Sequence, residues 1–64
     1  MFHAGNRVEI ISDGRIGTIT NINGRSDAVN MPGAVDVVEN CLVRFDNDIT
    51  KSEWFKPGQL RLVK

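Results

Sequence analysis

The longest stretch of this chain without glycine or proline, residues 34–56, carries apolar side chains at every second position over much of its length. Val35, Val37, Cys41, Val43 and Phe45 share one parity, together with Glu39. Asp36, Asn40, Arg44 and Asp46 take the other, with Val38 and Leu42. A helix presents one face at spacings of three and four, a strand at spacings of two. Elsewhere Gly5, Gly14, Gly17, Gly24, Pro32-Gly33 and Pro57-Gly58 break the chain into short β-branched runs. The domain reads as all-β.

The first strand is expected from Arg7 to Ile11, with Val8 and Ile10 on one face and Arg7 and Glu9 on the other. Ser12-Asp13-Gly14 makes the turn. A second strand runs from Arg15 to about Ile22. Its apolar residues Ile16, Ile19 and Ile22 lie three apart, and Gly17 is read as the bulge that shifts the facing pattern. Asn23-Gly24 is a strong tight-turn signal, and no sustained period follows it, so residues 23–34 are expected to form a long loop. The alternating stretch is then either one long bent strand or two strands kinked near Glu39-Asn40, with a core strand from Cys41 to Phe45. Asp46-Asn47-Asp48 turns the chain into a fourth strand, Thr50 to Phe55. Lys56-Pro57-Gly58-Gln59 suits a short 3-10 turn, and Leu60 to Val63 closes the domain. Five short strands so arranged match a small closed barrel, and closure removes the edges that a flat sheet would expose.

Sixty-four residues make one domain, 1–64, with its core within 5–63. A chain of this length buries only about 60% of the surface its unfolded form exposes. Small domains usually add a staple. Cys41 is the only cysteine and His3 the only histidine, which leaves no intrachain disulfide and no zinc-ligand cluster. Tight packing, self-association or docking into a larger complex must supply the support. Eight basic residues balance eight acidic ones, which removes the usual global argument for nucleic acid. No apolar run approaches the ~20 residues of a membrane span, and the N-terminal residues carry no signal-peptide pattern. A soluble, reduced, cytoplasmic setting is the expectation.

The stretch from Ala4 through Gly5-Asn6-Arg7-Val8-Glu9-Ile10 to Gly17-Thr18-Ile19 resembles the opening hairpin of the KOW and Tudor-like group of SH3-like barrels. In that group a glycine precedes a Val-x-Ile strand and a second glycine supports a bulge; Gly5 and Gly17 fill those places. Cys41-Leu42-Val43-Arg44-Phe45-Asp46-Asn47-Asp48, Glu53-Trp54-Phe55 and Leu60-Arg61-Leu62-Val63 are similar to the second half of such barrels. The resemblance covers most of the chain outside residues 23–34 and implies a small five-stranded SH3-like barrel, a fold that hosts many functions. Departures narrow the choice. A methyl-lysine cage needs several convergent aromatics, and this chain has no tyrosine and only Phe2, Phe45, Trp54 and Phe55. A tyrosine-rich polyproline groove is absent for the same reason. The plasmid-borne type II dihydrofolate reductases share the length and a Gly-x-Arg-Val start, but Cys41-Leu42-Val43-Arg44-Phe45 lacks their pore motif.

Among chemistry-bearing residues, Cys41 sits at a core parity, where a free cysteine acts as a small hydrophobe. Asp46 and Asp48 are read as turn residues, because no twelve-residue calcium loop with a closing glutamate follows. No catalytic residue, cofactor or metal is expected. Trp54 and Phe55 are neighbours on a strand, so one ring faces out and offers a contact anchor. Arg15, Arg44, Lys51 and Lys56 are candidate phosphate contacts, and Arg25 and Met31 belong to a loop that suits an adaptable surface.

These residues, Arg15, Arg25, Met31, Arg44, Lys51, Trp54, Phe55 and Lys56, form the candidate partner-binding set. The leading expectation is a non-enzymatic module that binds protein or its own copy. KOW-like binding of RNA or DNA is the alternative. An enzyme with a site formed across an oligomer pore is the third reading.

Overall fold

The computed structural model describes residues 2–25 and 37–63. Within them five antiparallel strands form one sheet: β1 (Arg7–Ile10), β2 (Ile16–Arg25), β3 (Val37–Phe45), β4 (Asp48–Phe55) and β5 (Leu60–Leu62). Their spatial order is β4-β3-β2-β1-β5. The expected 3-10 turn, Pro57–Gln59, precedes β5. Proline suits its first position, where no donor is needed. The turn is closed by the Gln59 amide donating to the Lys56 carbonyl at 2.9 Å and the Lys56 amide donating to Gln59 Oε1 at 2.9 Å.

Every strand gives side chains to one core. Val8 and Ile10 come from β1, Ile19 from β2, Cys41, Val43 and Phe45 from β3, Phe55 from β4 and Leu60 from β5. Strands β4 and β5 are the two edges of the sheet, so Phe55 and Leu60 share a core only because the sheet curls strongly. The 3-10 turn packs against β3 for the same reason. Phe45 and Phe55 meet edge to face, with ring centroids 6.0 Å apart, the arrangement favoured by the ring quadrupoles. Full burial of each large apolar side chain contributes roughly 1.5–3 kcal/mol.

The facing pattern of β2 and β3 is set by two bulges, and neither is at Gly17. Ile19 pairs with Val43 and Asn21 with Leu42, so Thr20 is the extra residue on β2. Asn23 pairs with Asn40 and Gly24 with Val38, so Glu39 is the extra residue on β3. The first bulge moves the inward parity from Ile19 to Ile22. The second moves it from Cys41 to Val38 and takes Glu39 out of the ladder. Ile22 and Val38 accordingly pack against the core. One long bent strand is therefore the form that residues 37–45 take. Ile16 stays out of phase with Ile19, opposite Glu9.

The second strand also runs further than expected, through Asn23-Gly24 to Arg25. A two-residue hairpin needs its partner strand to begin at once. The partner here is Val37–Asn40, well down the chain, so Asn23 and Gly24 enter the ladder instead of turning it. Of the expected loop at 23–34, its first three residues are strand, and residues 26–34, Met31 included, lie outside the described residues. β1 stops at Ile10, and β4 starts two residues early, at Asp48.

Gly14 takes a positive φ of 78° in the β1–β2 turn, where its amide donates to the Ile10 carbonyl at 2.7 Å. The N-terminal residues join the fold as well. The His3 amide donates to Asn6 Oδ1 at 2.8 Å, the Gly5 amide to the Ile19 carbonyl at 2.7 Å, and Phe2 packs against the core.

Candidate functional site

Residues directly opposite in a ladder share a face, so the pairings sort the candidate residues. Cys41 pairs with Ile22 and Phe55, and Val43 with Ile19 and Glu53, all on the inner face. Leu42 pairs with Asn21 and Trp54, and Arg44 with Thr18 and Ser52, all on the outer face. The outer face of β2, β3 and β4 thus carries two cross-strand rows: Thr18, Arg44 and Ser52, then Asn21, Leu42 and Trp54. Trp54 is 52% exposed and Phe55 8%. The sequence expectation of one outward ring holds for Trp54. Phe55 is buried in the core, which removes it from the candidate contact set.

Trp54 lies beside half-buried Leu42 and diagonal to exposed Arg44. The Thr20 hydroxyl donates to the Leu42 carbonyl at 3.4 Å and holds the bulge beneath them. Leu42 was not among the candidates, although its place on the polar parity of β3 marked it in the sequence as an outward apolar residue.

A cleft of about 730 Å³ lies between the β1–β2 turn and the β3–β4 hairpin. Arg15 and Lys51 line it with Phe45, Asn47, Asp48 and Glu53. The Arg15 guanidinium stands 4.2 Å above the Phe45 ring centroid, a cation–π contact. Asp13 fixes it there, accepting from Arg15 Nε at 2.7 Å, with Glu53 3.9 Å away. Lys51 is 3.9 Å from Asp48. The cleft brings together equal numbers of cations and carboxylates, so it has no net pull on an anion.

The other basic residues are similarly matched. Arg7 makes a two-pronged contact with Asp46, one prong at 3.2 Å. Arg61 holds Glu9 across the β1–β5 ladder, and Arg25 lies 3.7 Å from Glu39. Among the described residues Arg44 and Lys56 are the basic side chains that form no ion pair. The candidate residues therefore do not make one patch. Arg44 and Trp54 share the outer face, Arg15 and Lys51 share the cleft, Arg25 ends β2, and Lys56 opens the 3-10 turn.

Burial pushes the Cys41 thiol above its ordinary value, which disfavours the thiolate that nucleophilic chemistry needs. Among the described residues no group of three His, Cys, Asp or Glu side chains is placed to hold a metal. Asp48 caps its own turn, accepting from the Thr50 amide at 3.1 Å and from the Thr50 hydroxyl.

No family model matches the chain, and no significant match is found among curated proteins or solved structures.

Proposed function

We propose that the chain is an SH3-like barrel that acts as a non-enzymatic binding module for a protein partner, which docks on the outer face around Trp54. The strand order β4-β3-β2-β1-β5, the 3-10 turn before β5 and the shared core of both edge strands support the barrel. One observation carries the site: Trp54 is half exposed beside Leu42 on the outer face, while Arg7, Arg15 and Arg61 are already held by acids. Aromatic anchors of this kind, with an arginine at the rim, supply most of the energy in protein interfaces. A phosphate-binding surface needs uncommitted cations, and here Arg44 and Lys56 would have to carry it nearly alone.

Affinity capture with the wild-type chain and with Trp54→Ala, run side by side, tests the reading. A partner recovered by the first and lost with the second supports it; identical recoveries from both reject it. A mobility-shift titration on RNA and DNA oligonucleotides at low salt separates the alternative. A salt-sensitive shift abolished by Arg44→Ala and Lys56→Ala would move the function to nucleic acid.

A further inference from the structure

Among the described residues β4 pairs with β3 on one side and with nothing on the other, and at eight residues it is a long edge strand. Such an edge presents a row of unsatisfied backbone donors and acceptors, a template for another strand. β4 carries no proline. Its one irregularity is at its start, where Phe45 pairs with Asp48 and Arg44 with Ser52, so Ile49, Thr50 and Lys51 face no residue of β3. These three are exposed, Ile49 at 72%.

The charges along this edge are arranged symmetrically and with opposite signs about one residue, Ser52. Lys51 and Glu53 flank it at one position on either side. We propose that β4 adds antiparallel to β4 of a second copy of this chain, about a two-fold axis through Ser52. In that register Lys51 faces Glu53 of the second copy. Symmetry repeats the pair. An axis through residue 51 instead sets Lys51 against Lys51, and one through residue 53 sets Glu53 against Glu53. Axes between residues leave Lys51 opposite Ser52 or Trp54. Only the Ser52 register sets Lys51 against Glu53, so charge both favours the pairing and fixes it.

The charges are available for this exchange. The existing contacts of Lys51 with Asp48 and of Glu53 with Arg15 are each 3.9 Å long and solvent-exposed. Such surface contacts hold their partners weakly. Trp54 lies on the outer face beside this edge. The proposal concerns the strand edge and stands apart from the partner proposed for that face.

Sedimentation across a range of protein concentrations at low salt tests it on the whole chain. The wild type is expected to show a reversible monomer–dimer equilibrium. Lys51→Glu and Glu53→Lys should each raise the dimer dissociation constant by about tenfold or more, since each turns two attractive pairs into repulsive ones. The double exchange, Lys51→Glu with Glu53→Lys, should restore dimerisation to near the wild-type level. Far-UV spectra establish that each variant is folded. Ser52→Cys, on the axis itself, should form an interchain disulfide on oxidation. A wild type that stays monomeric to about 1 mM overturns the proposal. So does a double exchange that fails to restore the dimer.

Discussion

Gly17 lies directly against the backbone of Arg44: a Cβ built on it would stand 2.5 Å from the Arg44 carbonyl oxygen and 2.6 Å from Val43 Cγ1. The carbonyl belongs to the β3 ladder and cannot swing aside as a side-chain tip could. Gly17→Ala should therefore force β2 and β3 apart and cost roughly 1–3 kcal/mol. Gly58→Ala provides the control, since its added Cβ would meet nothing within 4 Å. Its stability should be unchanged or slightly raised through a stiffer unfolded chain. Urea unfolding of both variants measures the difference.

Trp54 and Phe55 are adjacent, yet their alanine variants should behave oppositely. Phe55→Ala removes a ring that packs on Phe45 and opens a core cavity, at a cost of about 3–5 kcal/mol. Small domains have stabilities of roughly 0.05–0.15 kcal/mol per residue, so this loss is a large part of the whole. Trp54→Ala, on the outer face, should shift stability by no more than about 0.5 kcal/mol. Thermal melts of the two variants compare them. A Trp54→Ala loss as large as that of Phe55→Ala would mean that the faces of β4 are reversed.

The parity of the sequence made the inner face of β3 legible, because Cys41, Val43 and Phe45 need only a period of two to be placed. It failed where bulges intervene. Thr20 and Glu39 each add one residue, and nothing local to a threonine or a glutamate announces a bulge. Glu39 at a core parity was the visible symptom. The long-range ladder also overrode the local signal at Asn23-Gly24, which pairs with Asn40 and Val38. Of the candidate site, Trp54 was readable as half of a pair with Phe55. Which ring faced out depended on the register with Cys41 and Leu42. The neutralisation of Arg7 and Arg61 was not readable, since Asp46 and Glu9 are 39 and 52 residues away from them in sequence.

Cys41 should report opening of the core. Its thiol is fully buried, and burial raises its pKa above the ordinary 9.0, so both access and ionisation oppose reaction. Labelling with a thiol reagent should be negligible in the native chain and should rise in urea along the unfolding curve. The same shift sets an alkaline dependence. Well below 9.0 the thiol is neutral in both states and contributes no slope. Above that value the unfolded chain ionises first, and stability falls until the folded pKa is reached. Cys41→Ala should lack this part of the alkaline loss, which a comparison of urea midpoints at neutral and alkaline pH isolates. Rapid native labelling at neutral pH would contradict the placement of Cys41 in the core.

Asp13 controls how Arg15 is held over Phe45, and it does so through two bonds of different kinds. Its Oδ1 accepts from the Arg15 backbone amide at 3.0 Å, and its Oδ2 from Arg15 Nε at 2.7 Å. The amide bond is the larger cause of a pKa held below the usual 3.8, and the guanidinium adds to it. A folded pKa below the unfolded one means that the stabilisation is present above 3.8 and is lost as pH falls through the folded value. The carboxylate is solvent-exposed, so the effect is small. Asp13→Asn keeps an acceptor for the amide but loses the charge, whereas Asp13→Ala loses both. At neutral pH the unfolding midpoints should rank wild type above Asp13→Asn above Asp13→Ala. In acid the first two should converge, because a protonated Asp13 is nearly an amide in its hydrogen bonding, and the alanine variant should stay lower. Parallel curves for wild type and Asp13→Asn across the acid range would show that the charge on Asp13 plays no part in seating Arg15.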